Sequence, residues 1–177
     1  MSGHSKWQQI KHQKGVTDAK KSQAFSKLAR MISVAARKGE NPDMNSELRM
    51  AVEKAKSVNM PFENIERAIK RGGGKIEGSQ LESVRYEAYG PAGVAMIIEA
   101  ITESKNRTLA EIRHILLNHG ARIAEPGSAL WAFEIINNKP KAKNTIQLGE
   151  EDKNSLNKLI EALNENEDVQ EIHTNYL

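Results

Sequence analysis

The first 38 residues set nine cations, Lys6, Lys11, Lys14, Lys20, Lys21, Lys27, Arg30, Arg37 and Lys38, against the single acid Asp18. Side chains of this type and density suit phosphates, because each neutralised phosphate releases condensed counterions and the gain is nearly independent of base sequence. Trp7 stands among them, where its ring could stack on an unpaired base while its neighbours hold the flanking phosphates. A tryptophan folded back to anchor the segment is an equal alternative. His4 and His12 could add charge or hydrogen bonds, or stay passive. A second group, Arg67, Lys70, Arg71 and Lys75, either extends the cationic surface or complements the negative end of a helix. Lysine-rich faces also occur as plain solvated surface; the near absence of acids in the leading segment favours binding.

Other chemistries lack their residues. Gly72-Gly73-Gly74-Lys75-Ile76 has no Ser or Thr after the lysine and follows a helical pattern rather than a strand, so it is no nucleotide-phosphate loop. His114 and His119 are five apart, which does not bring both onto one helix face as an i, i+4 metal pair requires. No nucleophile elbow or paired-carboxylate pattern occurs. The chain has no cysteine, which excludes disulfides, thiolate metal sites and thiol catalysis and suits a reducing compartment. No enzyme activity, no cofactor and no metal are expected.

The net charge of +3 conceals a division. Residues 1–75 carry 16 Lys and Arg against 7 acids, whereas residues 76–177 carry 10 against 16. One part is therefore suited to a polyanion, and the other to solubility or a protein partner. A hydrophobic content of 38% is enough to fill a core. The longest apolar run, residues 94–101, is broken by Glu99 and falls far short of the roughly 18 residues of a membrane span. The opening residues have no apolar stretch behind them, so no secretory leader is expected and a cytoplasmic or organelle-matrix location is.

These residues need elements to position them. Thr17 as N-cap opens a helix in which Phe25, Leu28, Ile32 and Ala35 recur at three-and-four spacing up to Gly39. Lys20, Lys27 and Arg30 fall beside that stripe, so one face packs while another grips. Asn41-Pro42-Asp43 makes a turn into a second helix with the stripe Leu48, Ala51, Val52, Ala55 and Val58. Pro61 suits the first position of a third helix carrying Ile65, Ala68 and Ile69, ended by Gly72-Gly73-Gly74. The pattern then changes to strands over 84–88 and 94–101, a helix over 106–119, strands over 121–124 and 129–135, and a polar, Pro140-containing linker over 137–143. A strand over 145–148, a helix over 150–163 and a strand over 169–173 follow. The expected fold class is α+β: a basic arm with a three-helix bundle over 1–75, then an α+β domain over 76–177 with a mainly antiparallel sheet.

Gly3-His4-Ser5-Lys6-Trp7, Ile10-Lys11-His12 and Asp18-Ala19-Lys20 resemble the opening of the YebC family. Further resemblances follow in order: Glu53-Lys54-Ala55-Lys56, Asn59-Met60-Pro61, Asn64 to Gly72, Tyr86-Glu87-Ala88-Tyr89-Gly90-Pro91, Asn106-Arg107-Thr108, Glu111-Ile112-Arg113-His114 and Gly127-Ser128. The resemblance implies a bacterial or mitochondrial regulator of gene expression without catalytic activity. It leaves open DNA-binding transcriptional regulators of the PmpR type and translation factors that act with the ribosome. It adds Arg107, Arg113 and His114 as possible second-domain contacts, although Glu103 and Glu111 lie beside them. Family members usually carry an inserted domain where this chain has only 136–144, so a short form is expected. The partner is accordingly nucleic acid, ribosomal RNA or duplex DNA, with no membrane. The Trp-bearing arm and the lack of a recognisable helix-turn-helix tilt the expectation to RNA on the ribosome. A protein-interaction adaptor with an acidic partner is the reading from another class.

Overall fold

Three α-helices begin the described part of the chain: α1 (Asp18–Ala36), α2 (Ser46–Ser57) and α3 (Phe62–Gly72). The structure, a computed structural model, describes residues 18–177, and the expected arm and the Thr17 cap lie outside them. Of these residues, 18–83 with 101–103 form one compact unit, and 84–100 with 104–177 form another. No helix among the described residues is long and apolar enough to cross a membrane.

The helical unit is built on the stripes the spacing predicts. Leu28 and Ile32 of α1, Leu48, Ala51 and Ala55 of α2, and Ile65 and Ala68 of α3 share one buried cluster. Complete burial of a leucine or isoleucine side chain stabilises by roughly 1.5–3 kcal/mol relative to exposure. Asn45 joins two helices: its Nδ2 donates to Ala35 O and Gly39 O, both at 2.8 Å, and its Oδ1 accepts from Leu48 N at 3.1 Å. The side chain thus caps the start of α2 while satisfying carbonyls at the end of α1. Asn59, at φ 60°, ends α2, with Met60 N donating to Ala55 O at 3.0 Å and the Met60 side chain buried. That is the glycine-type helix stop carried by asparagine. Pro61 sits just before the first residue of α3 rather than at it, and its carbonyl accepts from Ile65 N at 3.2 Å. Gly72 does more than stop the helix, since a Cβ there would collide with the carbonyl of Ser33 and with the Ala36 side chain. Its bare backbone lets α3 lie against α1, an approach fastened by the bond from Ser33 Oγ to Ala68 O at 2.9 Å.

The second unit is an α+β sandwich. Strands β1 (Glu82–Tyr89), β2 (Ala95–Thr102), β3 (Arg122–Ile123) and β6 (Val169–Thr174) form a sheet in the order β3-β1-β2-β6, with α4 (Lys105–Asn118) between β2 and β3 and α5 (Glu150–Glu165) before β6. The β1–β3 and β2–β6 pairs are antiparallel. Alternation along β2 sends Met96 and Ile98 to Ile112, Leu116, Leu156 and Leu159 of the two helices. Ala95 and Ile97 point the other way and meet Ala129, Ala132 and Phe133.

Three expectations are corrected. Residues 129–132 are not extended: Leu130–Ala132 is a short 3-10 turn, and the strand β4 is Phe133–Ile136. The segment read as a linker contains strand β5 (Lys139–Ala142), which pairs antiparallel with β4 in the register Ile136↔Lys139 and Ile135↔Pro140. Asn137 and Asn138, at φ 50° and 63°, form the bend, since the type I′ turn of a two-residue hairpin needs positive φ at both positions. The strand expected over 145–148 is reduced to one bridge between Ile146 and Tyr176, with Ile146 N donating to Asn175 O at 2.9 Å.

Candidate nucleic-acid interface

His4, Lys6, Trp7, Lys11, His12 and Lys14 lie outside the described residues. Lys20 and Lys21 are exposed on the first turn of α1. Lys27 departs from the expected gripping face: it is 6% exposed and buried beside the apolar stripe. At about 100° per residue it lies only about 60° around the helix from Ala24, close enough for packing to enclose it.

Several other cations of the helical unit are engaged within it. Arg30 Nη1 donates to Ile101 O at 3.4 Å, and Arg37 Nη1 to Leu81 O at 3.1 Å. Lys38 pairs with Glu47 at 2.7 Å and Lys75 with Glu40 at 2.8 Å. Arg71 pairs with Glu103, and its hydrogen bond outweighs burial to hold the Glu103 carboxyl below its usual range. Lys21, Lys56, Arg67 and Lys70 are exposed and have no ion-pair partner among the described residues. Lys70 and Arg71 stand in the last turn of α3, where they also complement its dipole.

In the second unit, Arg107 Nη2 meets Asp168 Oδ2 at 2.8 Å, and Arg107 Nε lies 3.6 Å from Glu111 Oε1. Thr108 Oγ1 donates to the same Asp168 oxygen at 2.6 Å. Arg107 is therefore committed to neutralising a buried acid. Arg113 and His114 are exposed on α4, with His114 Nε2 3.1 Å from Asn118 Nδ2.

Two side-chain groups escaped the sequence reading, because the segments that bring them together are far apart in the chain. Trp131 is 51% exposed, and its Nε1 donates to Tyr89 Oη at 2.9 Å, while Arg122 Cζ lies 5.3 Å from the Tyr89 ring centroid. On the same sheet, Glu99, Glu171 and His173 bring potential metal-ligand atoms within 4.8 Å of one another. Arg85 Nη2 already donates to Glu99 at 2.7 Å and Lys139 to Glu171 at 2.9 Å, so both carboxylates are neutralised from within the protein. The group resembles an ion-pair network more than a cation cage.

The comparisons with known proteins agree with the motifs. The model described as "TACO1/YebC protein N-terminal domain" matches residues 5–75, and that described as "TACO1/YebC second and third domain" matches 81–139 and 135–176. A "Probable transcriptional regulatory protein" of Pseudothermotoga lettingae is 57% identical over 135 residues, 76% of this chain and 53% of that protein. The chain thus spans about half the length of that relative, and 70% of the one from Petrotoga mobilis, which is 46% identical over 98% of this chain. A crystal structure described as a conserved hypothetical protein from Aquifex aeolicus superimposes with a TM-score of 0.85 at 34% identity, covering 98% of this chain and 97% of that one. With family models matched from residue 5 to residue 176 and relatives near half identity, the chain belongs to the TACO1/YebC family.

Proposed function

We propose that this chain is a non-catalytic regulator of gene expression that holds nucleic acid through its basic leading segment and helical unit. The observation that carries the reading is the uneven charge: 16 cations against 7 acids in residues 1–75, with Lys21, Lys56, Arg67 and Lys70 exposed and lacking ion-pair partners among the described residues. Phosphate backbones reward that arrangement whatever their base sequence. The preferred target is RNA on the ribosome, a lean motivated by Trp7 within the basic arm. DNA-bound transcriptional control is the second reading, favoured by the names of the relatives, "Probable transcriptional regulatory protein".

Co-sedimentation with ribosomal particles at physiological salt, set against capture on promoter DNA, separates the two. Retention on DNA alone overturns the RNA lean. Nuclease treatment of a native pull-down tests the adaptor alternative, since a partner that survives both RNase and DNase is protein-bound. Changing Lys6, Lys11 and Lys14 to Glu is expected to abolish binding with little change in thermal stability, because exposed charges contribute little to folding.

We also propose that the short architecture reflects a module absent at the β4–β5 bend. The two matched pieces of the second family model, 81–139 and 135–176, meet there. Alignment with the Thermoanaerobacter pseudethanolicus relative runs over 237 positions against the 177 residues of this chain.

A further inference from the structure

Trp131 is exposed, yet its surroundings are fixed. On one side the buried Glu87 carboxylate accepts from Gly127 N at 2.6 Å and from Ala129 N at 2.7 Å. On the other, Ala132 and Phe133 are buried against Ala95 and Ile97 of β2. Asn144 Nδ2 donates to Trp131 O at 2.8 Å, which sets the end of the β4–β5 ribbon alongside. The indole N–H is spent on Tyr89 Oη, and Tyr89 Oη in turn donates to Ser128 O at 2.5 Å. Burial would ordinarily claim a tryptophan, and a satisfied polar edge leaves only its π surface to offer. Cations flank it. Arg122 stacks on Tyr89, and Lys143, whose backbone N donates to Ala132 O at 2.9 Å, lies on the adjoining segment. Neither has an ion-pair partner among the described residues. The acids of the segment are Glu125 and Glu134.

We propose that Trp131, with Arg122 and Lys143, forms a second nucleic-acid contact, on the α+β unit, which takes an unpaired strand by stacking one base on the indole. A held aromatic face beside uncompensated cations matches a polyanion whose monomers each carry a π surface. Duplex bases are hidden in their stack and cannot use the platform. Its residues all belong to the compact unit that does not contain the basic helices.

The chain has two tryptophans, Trp7 and Trp131, so the full chain carrying Trp7→Phe reports on Trp131 alone. Quenching of its fluorescence by oligouridine or oligothymidine is expected, and equal quenching by the two strands would mean that the sugar is not read. Fluorescence anisotropy with labelled strands of both kinds should show Trp131→Ala weakening single-strand binding roughly tenfold, with Trp131→Phe retaining most of it. Affinity for a blunt-ended duplex of equal length should stay unchanged. Absence of quenching, equal binding by Trp131→Ala and the parent, or equal losses on single strand and duplex would each overturn the proposal. Should Trp131→Ala fail to fold, the quenching measurement and Trp131→Phe still decide. Loss of ribosome and duplex binding in the Lys6, Lys11 and Lys14 variant, with quenching of Trp131 by single strands intact, would leave this site standing and assign the leading segment its own contact.

Discussion

Arg107 and Asp168 form an ion pair in which the arginine is 49% exposed and the aspartate 4% at their side chains, with Nη2 and Oδ2 2.8 Å apart. The acid is the buried partner, and the arginine exists at that position to neutralise it.

Arg107→Ala should therefore lower stability by about 1–3 kcal/mol in urea unfolding, because it removes the charged partner of a buried carboxylate that also accepts from the Thr108 hydroxyl. Arg113→Ala, which removes an exposed side chain on the same helix, should change stability by less than about 0.5 kcal/mol. Equal effects would show that the pair is incidental.

Glu87 is the anchor of the turn before Trp131. Glu87→Ala removes the acceptor for two backbone N–H groups and should cost about 2–3 kcal/mol, whereas Glu87→Gln keeps one acceptor oxygen and should cost less. Chemical denaturation of both variants checks the order.

Gly72→Ala should destabilise the helical unit by about 1–3 kcal/mol, although alanine ordinarily favours helices. The added methyl meets the backbone carbonyl of Ser33, which cannot rotate away. A gain in melting temperature would mean that α1 and α3 separate readily.

Acid stability should fall partly on Glu99. Burial works to raise its pKa, but the hydrogen bonds and charges of His173 and Arg85 win and hold it below 4.5. A carboxyl with a lowered folded pKa contributes stability that is present above its unfolded pKa and lost as pH falls through the folded value. Urea unfolding from pH 7 downward should thus show an acid limb, beginning near pH 4.5, that is shallower in Glu99→Gln.

For the helical cations, Lys70→Gln and Arg67→Gln should each reduce the slope of log K against log salt, by about 0.7 on single strands and about 0.9 on duplex DNA. A slope that stays unchanged removes α3 from the interface.

The three helices were legible because their apolar residues repeat with the helical period, and the first unit is built from neighbours in sequence. Asn59 was the overlooked stop signal, since asparagine tolerates positive φ nearly as glycine does. Only β5 is hidden in the sequence, because Pro140 argues against a strand; in a two-stranded ribbon it is accommodated, as its missing N–H need not serve a third strand. Lys27 looked like surface because only tertiary packing encloses it. The Glu99 and Glu171 pairing depends on the register of β2 with β6, which includes a bulge after Glu99 and has no local signature. Trp131 was passed over for a similar reason: its partners Tyr89 and Arg122 are contributed by β1 and β3.

The bend at Asn137 and Asn138 returns the backbone to about one strand spacing, roughly 4.8 Å, from where it departed. Any folded insert whose own ends lie that close can be spliced in there, or excised, without altering the pairing of Ile136 with Lys139. The thermodynamic effect is confined to loop closure, which grows only as about 1.5RT ln n, and the packing of Phe133 on Ala95 and Ile97 is untouched. Such a joint is a natural graft point for a reporter or a swapped module.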